Sequence, residues 1–161
     1  MIKKTFQFAL ILLSVVMFVS CSKGVKALPL IGLNYSYNGF FVDGVRLINA
    51  DSKAELKNKE IKIGETLYIA IDKVRGFKEE DGKIKPACKV TVTDPEGNVV
   101  LGSDDVYAGQ DYEKGTNNFS VTVKMGAPIA AGKTYTTEVS LYDKLNPEYK
   151  VDITVKSDVI E

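Results

Sequence analysis

The sequence predicts an all-β fold, an antiparallel sandwich of about seven or eight strands. Three observations predict it. Apolar and polar residues alternate with a period of two in segment after segment, the pattern of a half-buried strand. Turn chemistry recurs at short intervals, as in Asp94-Pro-Glu-Gly-Asn98, where proline fixes φ and glycine accepts positive φ. No segment after residue 27 carries a helical apolar stripe. The best helical candidate, Asp51–Glu60, has only Leu56 to bury and reads as a polar connection.

The strands follow in order. Leu33–Tyr37 alternates, and Phe40–Val42 and Val45–Ile48 are short apolar runs. Thr66–Ile71 follows a Gly64-Glu65 turn. Cys88–Thr93 alternates strictly, and Val99–Leu101 returns after the Asp94–Asn98 turn. Phe119–Val123, Tyr135–Tyr142 and Tyr149–Val155 complete the set. Such short, regular spacing signals a sandwich rather than alternating strands and helices. The alternation also names the core: Cys88, Val90 and Val92; Phe119, Val121 and Val123; Tyr135, Val139 and Leu141; Val151, Ile153 and Val155.

Length and composition bound the rest. A chain of 161 residues, 45% hydrophobic and 26% charged, fits one folded domain. Lysine plus arginine equal aspartate plus glutamate at 21 each, so no excess of positive charge drives nucleic-acid binding. There is no histidine, which excludes Ser–His–Asp and Cys–His catalysis and imidazole-based zinc sites.

The first 20 residues read as a cleaved leader. Lys3 and Lys4 make a positive start, and Phe8–Val19 is an uncharged apolar run, shorter than the roughly 20 residues a membrane-spanning helix needs. It ends at Phe18-Val-Ser-Cys21. This segment resembles the lipobox of bacterial lipoproteins, with Phe18 where leucine is usual. The resemblance implies that Cys21 is acylated and becomes the new N-terminus, leaving Cys88 without an intrachain partner. It also implies a membrane held through the N-terminal acyl chains. Ser22 after the cysteine, and no acidic cluster in Ser22–Ala27 of the kind seen in surface-exported Bacteroides-type lipoproteins, suggest the periplasmic face of the outer membrane. The cell surface is the second choice. The expected organisation is leader 1–20, lipidated cysteine and tether 21–27, and a sandwich over 28–161. A free tether of about seven residues at ~3.3 Å each reaches at most about 25 Å, so the domain sits close to its membrane.

A second resemblance covers roughly residues 60–156. Ile63–Leu67, the hairpin Val90–Val99 and Ala131-Gly-Lys-Thr-Tyr135 are similar to bacterial Ig-like and macroglobulin-type modules. The resemblance implies an Ig-like sandwich in which a tyrosine hydroxyl staples the corner before the penultimate strand. Such a fold does not fix a function.

Several motifs invite chemistry. Ala127–Thr134 matches a relaxed phosphate-loop pattern, but alternating strand sequence follows it and Pro128 has no amide hydrogen to offer a phosphate, so it reads as a turn before a strand. No nucleotide or other cofactor is expected. Asp104, Asp105 and Asp111 are the candidate metal ligands, as oxygens for calcium, against the simpler reading of a solvated loop. Tyr35, Tyr37, Phe40 and Phe41 are the candidate ligand-binding residues, able to stack on a sugar or anchor a partner, against the default of core burial. Cys88 alternates with valines and reads as a buried thiol. The expectation is a non-catalytic envelope module that binds a protein or glycan partner through an edge strand or through the loops Gly102–Asn118 and Arg75–Ile84. A carbohydrate-binding accessory is the alternative. A small hydrolase with paired carboxylates is the third class.

Overall fold

The computed structural model describes residues 22–110 and 112–161. They form fourteen strands: β1 Lys23–Leu28, β2 Leu33–Asn38, β3 Gly44–Asn49, β4 Ala54–Glu55, β5 Glu60–Lys62, β6 Thr66–Asp72, β7 Glu79–Glu80, β8 Lys83–Ile84, β9 Pro86–Thr93, β10 Val99–Ser103, β11 Tyr112–Glu113, β12 Phe119–Lys124, β13 Lys133–Asp143 and β14 Asn146–Ile160. One sheet runs β1-β2-β14-β13-β9-β10, with β5 added beside the end of β14. A second runs β12-β6-β3-β4. A third, small sheet runs β11-β8-β7. All pairings are antiparallel except β5 with β14, which is parallel over Asp158–Ile160. The protein is an all-β sandwich.

The register shows why the alternation produces a core. Val90, Val139, Ile153 and Tyr35 lie opposite one another in a row across the large sheet. Val121, Ile69 and Leu47 form the corresponding row in the four-stranded sheet. All seven are buried, and each alternate neighbour turns to the other face. The four expected core sets are buried as read from the sequence, Cys88 included. The Asp94–Asn98 turn also forms as expected: Asp94 N donates to Asn98 O at 2.9 Å, Asn98 N donates to Asp94 Oδ1 at 2.8 Å, and Gly97 takes φ +87°. Lys133 opens β13 directly, so the phosphate-loop look-alike is a turn before a strand. Tyr135 staples that corner, its hydroxyl accepting a hydrogen bond from Ala130 N at 3.0 Å.

Three expectations need correction. The stretch taken as a free tether is strand β1, paired along its length with β2, from Lys23 opposite Asn38 to Leu28 opposite Leu33. Its sequence, Lys-Gly-Val-Lys-Ala-Leu, lacks alternation because it is a sheet edge with little core above it. Phe40–Val42 is not a strand. It makes one isolated bridge, Phe41 to Arg75, because Gly39 turns the chain at φ +72°. The polar connection Asp51–Glu60 contains the short strand β4 and the first residue of β5, both held by backbone pairing rather than by an apolar face.

Candidate functional site: the loop end of the sandwich

Two long loops leave the same end of the sandwich and fold onto each other. Between β6 and β9 the chain makes the hairpin β7–β8, turned at Asp81 and Gly82 with φ +53° and +74°, the left-handed pair that a tight hairpin turn requires. Between β10 and β12 the chain supplies β11, which pairs with β8. Further backbone bonds close the lobe: Lys114 N donates to Gly82 O at 3.0 Å and Val74 N to Asn117 O at 2.7 Å.

Two carboxylates pin this lobe to the large sheet. Asp143, fully buried at the end of β13, accepts Lys78 N at 2.8 Å and Leu145 N at 2.9 Å. Asp105 accepts Cys88 N at 3.0 Å and Tyr107 N at 2.9 Å through Oδ1, while Oδ2 pairs with Lys144 Nζ at 2.8 Å. Burial alone would push the Asp105 pKa up. The Lys144 ammonium and the two backbone N–H donors outweigh it and hold the carboxyl below its usual range. Beneath the lobe runs a chain of rings: Phe40 to Phe77 at 4.5 Å, Phe77 to Phe119 at 5.3 Å, Phe119 to Tyr107 at 6.0 Å and Tyr107 to Tyr112 at 5.6 Å between centroids. The Tyr107 hydroxyl donates to Ser120 O at 2.8 Å and accepts from Ser120 N at 3.0 Å, satisfying the open side of edge strand β12.

Between the two loops lies a cleft of about 290 Å³, lined among others by Val74, Arg75, Phe77, Glu79, Thr116 and Asn117. It presents an apolar floor, two neutral polar side chains, one cation and one carboxylate. The Arg75 guanidinium pairs with Asp43 at 3.2 Å, and Lys73 Nζ joins the same carboxylate at 3.0 Å. The displaced carboxyls among the described residues, Asp72, Asp94, Asp105 and Asp158, all shift downward, and none of them lines this cleft.

The residues singled out from the sequence separate clearly. Tyr35 is 4% exposed and Phe40 fully buried, so neither can stack on a ligand. This corrects their assignment as binding residues. Tyr37 is half-buried on the inner face beside Gly24, where an added Cβ would fall 2.3 Å from its ring. Phe41 is 56% exposed. A sugar-stacking platform of four rings is therefore not present. Asp105 is also corrected: its oxygens already serve two amides and an ammonium. Asp104 points to Lys89 Nζ at 3.3 Å, and Asp111 lies outside the described residues. No group of three or more acidic or cysteine residues able to hold a metal occurs among the described residues. Cys21 also lies outside them. Cys88 is a buried free thiol whose pKa burial, reinforced by the Asp105 charge, pushes up to about 12. Asp143 gave no signal in the sequence beyond its place at the end of an alternating strand, where Asp143 continues the inward set Val139, Leu141.

No family model matches the chain, and no curated protein matches it in sequence. Among solved structures it is similar to the soluble domain of PmoD from Methylocystis sp. (strain Rockwell), at 14% identity and TM-score 0.40, covering 87% of this chain and 98% of that one. It is also similar to chicken MD-1 in complex with lipid IVa, at 11% identity and TM-score 0.33, covering 86% and 99%.

Proposed function

We propose that the chain is a non-catalytic lipoprotein of the bacterial cell envelope, acylated at Cys21, that binds a partner through its loop lobe. One observation carries the binding reading. Two loops separated in sequence by β9 and β10 are pinned by one buried and one partly buried carboxylate and close on one cleft, so the contact surface is formed before any partner arrives. A preformed site avoids the ordering cost that loose loops would meet on binding. The lipobox-like leader supports the address, with the periplasmic face of the outer membrane as the expected location.

The test is crosslinked recovery of the acylated protein from its own envelope, wild type beside Thr116→Arg. Thr116 lines the cleft next to the Gly115 turn, so an arginine there fills the opening without touching the core. A crosslinked species present with wild type and lost with T116R supports the reading. Recovery of lipid and the protein itself alone, or an unchanged pattern in T116R, counts against it.

A further inference from the structure

The start of β1 is stapled to the turn that presents Phe41. Ser22 O accepts Gly39 N at 2.8 Å, and Ser22 Oγ donates to Phe40 O at 2.7 Å. Phe41 is held in turn by a double bridge: its N–H donates to Arg75 O, and Arg75 N–H donates to Phe41 O, both at 2.9 Å. Phe40 points inward and is fully buried, so its neighbour Phe41 must point outward, and its ring is 56% exposed. Beside it stand two cations, Lys73 and Arg75, both paired with Asp43, while the nearby Asp72 is paired with Arg46.

Cys21 is one peptide unit from Ser22, about 3.8 Å between Cα atoms. With β1 zipped onto β2 from Lys23 onward, no slack remains to carry the domain away from an anchor at that residue. We infer that the Phe41 end of the sandwich docks on the lipid surface, with the Phe41 ring at the boundary between headgroups and acyl chains and the Lys73–Arg75 cations at headgroup depth. The inference rests on the lipoprotein reading and deepens it, from a tethered domain to an oriented one. An aromatic ring flanked by basic side chains is what the membrane interface favours. The acyl chains on Cys21 would hold it there at high effective concentration, which lets one weakly apolar contact act. A lipid surface is the occupant because an anchor at Cys21 would hold that surface one residue from Ser22, which bonds the Gly39–Phe40 turn leading into Phe41.

The protein has no tryptophan, so a single substitution reports depth without background. Phe41→Trp places the probe at the proposed contact. Leu30→Trp places it at an exposed position beyond the other end of β1, roughly 20 Å away for a six-residue strand. Both acylated proteins are reconstituted in vesicles of phosphatidylethanolamine with a minority of phosphatidylglycerol, with and without brominated acyl chains. Circular dichroism checks that each is folded, and mass spectrometry reads the N-terminus. Blue-shifted emission from F41W, quenched severalfold more by brominated lipid than emission from L30W, is the expected result. An acylated N-terminus with F41W unquenched, or with both variants quenched equally, overturns the docking and leaves the lipoprotein reading standing. An unmodified N-terminus overturns both.

Discussion

Replacing Asp105 by alanine should destabilise the protein by about 3 kcal/mol, mostly by orphaning two amides. The carboxylate is the acceptor for Cys88 N and Tyr107 N, and its side chain is only 18% exposed. An amide left without an acceptor in a shielded site costs roughly 1–3 kcal/mol, and two of them dominate the total. The Lys144 pair adds little, at most about 1 kcal/mol, because the lysine is 42% exposed. Asp105→Asn keeps an acceptor oxygen for both amides and loses only the charge, so about 1 kcal/mol is expected. Urea unfolding followed by circular dichroism measures this: with a slope of about 2 kcal/mol/M, the alanine midpoint falls by about 1.5 M. The pH dependence has a definite sign. The folded pKa lies below the unfolded value of about 3.9, so the stabilisation is full above pH ~4 and is lost as pH falls through the folded value. The gap between wild type and D105A should therefore stay constant above pH ~4 and narrow as pH falls below it. A D105A midpoint within error of wild type, or D105N as damaging as D105A, would refute the pinning role.

Other predictions follow from neighbouring contacts. Tyr107→Phe leaves Ser120 N–H and C=O without their partner on the open side of β12 and should lower stability by about 2 kcal/mol in the same urea assay. Cys88, buried and with its thiol pKa raised to about 12, should resist a water-soluble maleimide in the folded protein at pH 8 and react fully in urea; rapid native labelling would contradict its placement. Gly32→Ala should cost more than about 2 kcal/mol, since φ is +68° and the new Cβ would fall 2.1 Å from Lys156 O; a thermal midpoint equal to wild type would contradict the tight approach of that turn to β14.

The sandwich was legible where one face of a strand is buried and the other wet. In β12, and in β9 from Cys88, β13 from Tyr135 and β14 from Val151, burial follows the alternation residue by residue, because a period-two side-chain pattern is what a two-layer core selects. It was not legible in β1, an edge with backbone pairing but few apolar contacts, nor in β7, β8 and β11. Those three are two residues long, and their pairing depends on which loops meet. The two loops of interest could be named from length and polarity. That they close on each other could not, because most of the hydrogen bonds joining them are backbone-to-backbone, and the two side-chain links, Lys114 to Glu79 and Lys73 N to Asn118 Oδ1, have no distinctive spacing. Phe40 and Phe41 show the same limit at one residue's scale. The pair is equally apolar in sequence, and only the turn at Gly39 decides which ring is buried. Asp105 looked like a metal ligand because carboxylates that pin amides and carboxylates that bind calcium have the same composition.

The lobe itself is the claim on which the binding reading depends, and a distance tests it most directly. Glu80 and Glu113 are exposed and lie in register on either side of Lys83, two strand spacings apart, or about 10 Å between backbones. Spin labels attached through cysteines at these positions, with Cys88 buried and silent, should show strong dipolar broadening and a separation of roughly 10–20 Å in the detergent-solubilised protein. Two narrow, unbroadened spectra would mean that the loops lie apart, and the preformed cleft would be lost with them.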